Sequence, residues 1–118
     1  MRTETHDINL TKAREYLAAN LPFERGADGT NRPISLKTVN NYALTMLKGN
    51  WRHTHQGIAF NLDGHLSDGQ HRLLALVQAA EEGATEGETV HPPNPKIKIK
   101  FQVTWGLDND IFKYLMLG

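Results

Sequence analysis

The run Leu66-Ser67-Asp68-Gly69-Gln70-His71-Arg72-Leu73-Leu74-Ala75-Leu76-Val77 constrains this chain more than any other stretch of it. Asp68-Gly69 is tight-turn chemistry, because glycine adopts backbone conformations closed to other residues. The apolar residues that follow recur at helical spacing. A short strand must therefore stop and a helix start within a few residues. The helix's first N–H groups then point outward at the positive end of its dipole. Such a junction grips anions. His71 and Arg72 stand in the first turn, where cations oppose the dipole, so an anion site over Gly69, Gln70, His71 and Arg72 accounts for them better than a turn and a helix cap alone. Arg72 offers two parallel hydrogen bonds to phosphate oxygens and His71 a ring N–H.

The rest of the chain supplies elements around this junction. Asn9 or Thr11 caps a first helix running to about Asn20, with Ala13, Tyr16, Leu17 and Leu21 on one stripe and Pro22 as its stop. Glu24 to Pro33 reads as a loop. Ser35 caps a second helix over Leu36 to Lys48, with Leu36, Val39, Ala43, Met46 and Leu47 at helical spacings and Gly49 beyond its end. Gly57 to Asn61 and His65 to Ser67 read as two short strands joined by the Asp63-Gly64 turn. The motif helix extends from Gln70 to about Glu82. Ala84 to Pro95, with Gly87 and three prolines, reads as a mobile loop. Ile97, Ile99, Phe101, Val103 and Trp105 then alternate with Lys96, Lys98, Lys100, Gln102 and Thr104, which gives the clearest strand in the chain. Asp108 caps a terminal helix from about Asn109, and the chain stops where that helix invites a continuation.

Helices, a hairpin, a helix and a long strand make a mixed α+β domain, a small mixed sheet with packed helices. At 118 residues this is one domain, 1–118. Thirteen Lys plus Arg balance thirteen Asp plus Glu, so the chain lacks the basic field of a protein that coats nucleic acid. There is no cysteine, which excludes disulfides, thiolate metal sites and thiol nucleophiles. With a charged start and no long apolar run, the expectation is a cytoplasmic protein with no membrane partner.

Asp68-Gly69-Gln70-His71-Arg72 between a strand and an apolar helix resembles the ParB/sulfiredoxin-like superfamily, in particular its DGQHR-type branch from bacteriophages and plasmids. The likeness covers roughly Ser35 to Ala80, including Lys48-Gly49-Asn50-Trp51, the apolar strand at Gly57 to Phe60 and the Asp63-Gly64 turn. It implies a ParB/sulfiredoxin-like fold, ATP or CTP with Mg2+ as ligand, and phosphate contacts at Gly69, Gln70, His71 and Arg72. Asp68 would shape the turn or assist a metal. If the chain is phage-encoded, its compartment is the bacterial host cytoplasm. Gln70 stands where sulfiredoxin carries its cysteine, so that reductase activity is excluded. The chain has no room for the helix-turn-helix domain of the partition proteins. What the resemblance leaves is an NTPase or phosphotransferase, with nuclease activity ranked behind it for want of a metal-carboxylate constellation.

A general base is to be sought among Glu24, Asp28, Asp63 and Asp68, all in expected loops, with Asp68 first and Asp63 second as catalytic candidates. Lys96, Lys98 and Lys100, with Lys113, could track a nucleic-acid backbone; a lysine row more often marks a solvated edge strand. Trp51 and Trp105 could stack on a base or serve the core. His53 and His55 alternate about Thr54 and could join His65 or His71 around a metal, or add with Arg52 to a phosphate surface. Surface histidines need no metal, and no metal ligand is assigned. The alternative to a nucleotide-binding domain is a non-catalytic module of the same fold that binds DNA or a host protein. Self-association is compatible with either.

Overall fold

A computed structural model describes residues 2–19, 33–52 and 57–107. In chain order the elements are β1 (Arg2–Ile8), α1 (Leu10–Ala18), α2 (Leu36–Leu47), β2 (Ile58–Asn61), β3 (Leu66–Asp68), α3 (Gln70–Glu81), β4 (Ala84–Glu86), β5 (Thr89–His91) and β6 (Ile99–Leu107). They form a mixed α+β domain. A four-stranded sheet has the order β1-β6-β2-β3, and β4 and β5 make a separate two-stranded ribbon. β6 pairs antiparallel with β1 and parallel with β2, and β2 pairs antiparallel with β3.

Alternation along β6 turns Ile99, Phe101 and Val103 to the core and Lys100 and Gln102 to solvent, with Lys98 exposed just before the strand. Ile58, Phe60 and Leu66 continue that apolar face across the sheet, and the three helices cover it. α3 is the central helix. Leu73 and Leu76 are completely buried, and its small Ala75, Ala79 and Ala80 let neighbouring elements approach closely. Both α1 and α2 pack on it. Two of the helices are capped as their sequences require: Asn9 Oδ1 accepts the Lys12 N–H at 2.9 Å and Ser35 Oγ the Thr38 N–H at 3.2 Å. Among the described residues no helix is long and apolar enough to cross a membrane.

The structure departs from the sequence reading in three places. The charged start is strand β1, lined up with β6 from Arg2 opposite Trp105 to Ile8 opposite Ile99. It carries no apolar alternation because it is an edge strand on which only Ile8 is buried. The expected loop from Ala84 contains the β4–β5 hairpin. Its two-residue connection is Gly87-Glu88, and Gly87 has φ +61°, the glycine-first turn that suits strand twist. The prolines follow β5 and do not interrupt it. Leu36, expected on the buried stripe of α2, is 78% exposed, and the buried residues of that helix are Val39, Ala43 and Met46. The loop at 24–32, His53, His55 and the expected terminal helix with Lys113 lie outside the described residues.

Candidate site at the paired helix N-termini

β3 ends at Asp68 and α3 begins at Gln70, so the motif sits where the turn chemistry puts it. Gly69 is the N-cap of α3 with φ +106° and no side chain to cap the helix. A Cβ there would stand 2.5 Å from Ile58 Cδ1 and 3.2 Å from Ile58 Cα. Glycine is required twice over, for its left-handed backbone and for the close passage of the turn over β2. Leu73 is the residue whose N–H reaches the Gly69 carbonyl, at 2.9 Å. The N–H groups of Gln70 and His71 precede that ladder and have no intrahelical acceptor.

Arg72 turns inward. Its side chain is 10% exposed, and Nη1 donates to the Gly57 carbonyl at 2.7 Å and lies 3.4 Å from Asp68 Oδ1. The guanidinium thus ties the start of α3 to the start of β2 and to the last residue of β3. Its placement in a first helical turn opposes the dipole, and the Asp68 carboxylate and the Gly57 carbonyl offset that cost.

His71 faces the second helix. Its Nε2 accepts the backbone N–H of Ser35 at 3.0 Å. Further along, Gln78 Nε2 donates to Asn40 Oδ1 at 3.1 Å. The two contacts run in the same order along both helices, so α2 and α3 are parallel and their N-termini lie side by side with the His71 ring between them. Two dipoles therefore add their positive ends at one place. Sequence reasoning assigned this role to α3 alone. Ser35 was legible as a cap, but nothing in the linear order of residues says that its helix starts beside Gln70.

The other candidates are dispersed. Asp68 is half exposed beside the motif. Asp63 sits in the β2–β3 turn, where its N–H donates to Asn61 Oδ1 at 2.9 Å. The length of β3 separates it from Asp68, so the two carboxylates do not share a site. Lys96 lies in a turn before β6, its N–H bonded to Asn94 Oδ1 at 3.2 Å. Lys98 and Lys100 are exposed, and Lys100 is directly opposite Asp7. Trp51 packs edge-on against Tyr42 and Phe101, with ring centroids 5.3 and 5.8 Å apart. Trp105 stacks on Phe60 at 6.2 Å, and the Arg2 guanidinium covers it at 4.6 Å. Among the described residues no group of three or more histidine, aspartate or glutamate side chains is placed to hold a metal ion.

These features define a class: a mixed α+β domain that presents two parallel helix N-termini beside a glycine turn. The chain matches no protein-family model, no curated protein and no solved structure.

Proposed function

We propose that this chain binds a nucleotide or another phosphate-bearing ligand at the adjoining N-termini of α2 and α3, as a domain of the ParB/sulfiredoxin-like kind. The observation that carries the reading is the Ser35–His71 hydrogen bond, because it brings the second positive helix end to the first. The Gln70 and His71 amides supply donors and the Gln70 side chain a further one. The His71 ring lies between the two helix starts, its Nε2 on the Ser35 N–H. Gly69 lets the turn pass close over Ile58, which fixes where those amides start. Arg72 holds the donors in place through Gly57 and Asp68. A phosphoryl-transfer step at this site would draw on Asp68 as the neighbouring carboxylate, which would help hold a Mg2+ ion that supplies positive charge to the phosphates.

Calorimetric titration with ATP, CTP and GTP in the presence of Mg2+, and with inorganic phosphate, tests the proposal. Gln70→Glu is the informative variant. A carboxylate in the first turn favours the helix and repels an anion, so stability should hold or rise while affinity falls at least tenfold. Absence of binding by every one of these ligands at millimolar concentration, or binding that Gln70→Glu leaves intact, would overturn it.

A further inference from the structure

The four-stranded sheet ends on one side in β3, three residues long and facing an irregular stretch of β2. On the other side it ends in β1, seven residues paired with β6 without a break in register. Among the described residues nothing pairs with the outer edge of β1, and its side chains other than those of His6 and Ile8 are exposed. The chain leaves β1 through α1, which packs on α3 and away from that edge. A straight, proline-free edge of this length presents a row of N–H and C=O groups to any strand that can match it.

We propose that the strand which matches it is β1 of a second copy of this chain, antiparallel about a two-fold axis through Thr5. Two antiparallel strands side by side in one sheet are related by an axis normal to the sheet, and directly opposed residues then point to the same face. Only registers centred on a residue satisfy this. Centring on Glu4 opposes two carboxylates, and centring on His6 opposes two imidazoles. Centring on Thr5 sets Glu4 opposite His6 of the partner subunit, and His6 opposite Glu4 of the partner subunit. Within one chain Glu4 Oε2 already lies 3.0 Å from His6 Nε2. The axis therefore assembles a ring of four groups in which acid and imidazole alternate. Arg2 meets Ile8, Thr3 meets Asp7, and no like charges are opposed. The result is a continuous sheet of doubled width with both helical layers on the same side.

Sedimentation of the full chain, together with cysteine cross-linking, tests this. The chain has no cysteine, so one introduced thiol reports without interference. Across the axis the two Thr5 Cα atoms would be about 4.5–5.5 Å apart, within disulfide reach, whereas the two Thr3 Cα atoms would be about 14 Å apart. Thr5→Cys should cross-link into a covalent dimer under mild oxidation and Thr3→Cys should not. Glu4→Lys should raise the dimer dissociation constant at least tenfold, and Glu4→Lys with His6→Glu should restore it by exchanging the two charges. The Thr5→Cys result stands even if Glu4→Lys does not fold, because it leaves Glu4 and His6 in place. A monomer at submillimolar concentration, equal cross-linking of the two cysteine variants, or a well-folded Glu4→Lys variant that dimerises as the parent does would each overturn the proposal.

Discussion

The Nε2 atom of His71 accepts the backbone N–H of Ser35 at 3.0 Å, so a side chain in the first turn of α3 satisfies the amide of the residue that caps α2. Ser35 in turn caps the Thr38 N–H with its hydroxyl. A single histidine thereby links the starts of two parallel helices. The acceptor role assigns the ring proton to Nδ1.

Replacing His71 with alanine should remove the acceptor and loosen the start of α2. The expected loss is about 1 kcal/mol in denaturant unfolding, the ordinary net worth of one hydrogen bond. Hydrogen exchange should accelerate at Ser35 and leave Phe101 and Val103 in β6 protected. Unchanged exchange at Ser35 would show that the amide has another acceptor in solution.

Gly69→Ala tests the turn. The substitution adds strain at φ +106° and drives a methyl group toward Ile58, so a loss of about 2–4 kcal/mol is expected. Ile58→Val shortens the side chain whose Cδ1 is nearest. The double variant should therefore be more stable than the sum of the two single losses predicts. Strict additivity would argue that backbone strain alone makes the glycine necessary.

The helices α1, α2 and α3, the β2–β3 hairpin, the motif and β6 were legible because each carries a local signal: a capping residue, an apolar period or a turn pair. β1 was not, because an edge strand that buries only Ile8 has no apolar period to read. Its identity is conferred by β6, about a hundred residues away in sequence. The motif was located correctly in the chain, yet the direction of its side chains depends on neighbours that local patterns do not identify. Arg72 has its Nη1 on the Gly57 carbonyl, and His71 meets Ser35. The pairing of α2 with α3, on which the candidate site rests, is likewise a tertiary fact.

At the hairpin, the Lys48 ammonium beside Glu86 holds that carboxyl below its ordinary value of 4.5, through a hydrogen bond and then through charge, with a smaller contribution from His91. A lowered folded-state value means that the pair's contribution is present above the ordinary carboxylate range. It is lost as the pH falls through the lowered value. Carboxyl NMR titration should find the Glu86 midpoint below that of an unpaired glutamate, and Lys48→Met should move it upward. A midpoint that Lys48→Met leaves in place would mean that the ion pair is not formed in solution.

Besides the Lys48–Glu86 pair, the β4–β5 hairpin is fastened to the helices by Asn40. Its Oδ1 accepts the Thr85 N–H at 3.1 Å and its Nδ2 donates to the Thr85 carbonyl at 2.9 Å, the two bonds a neighbouring strand would have made. The same Oδ1 accepts from Gln78 Nε2 at 3.1 Å, so the amide also joins α2 to α3. Asn40→Ala removes all three bonds and should cost about 2 kcal/mol, less than three separate hydrogen bonds because water can reach Thr85. Asn40→Asp keeps the acceptor but sets a carboxylate oxygen against the Thr85 carbonyl, and it should fall between the parent and the alanine variant. Hydrogen exchange separates this local effect from global unfolding. Amides of Thr85 and His91 should lose protection in Asn40→Ala while those of β2 and β6 keep theirs apart from the global shift. Loss of protection spread evenly over both sheets would instead make Asn40 part of the common core, and the hairpin would then open only with the whole domain.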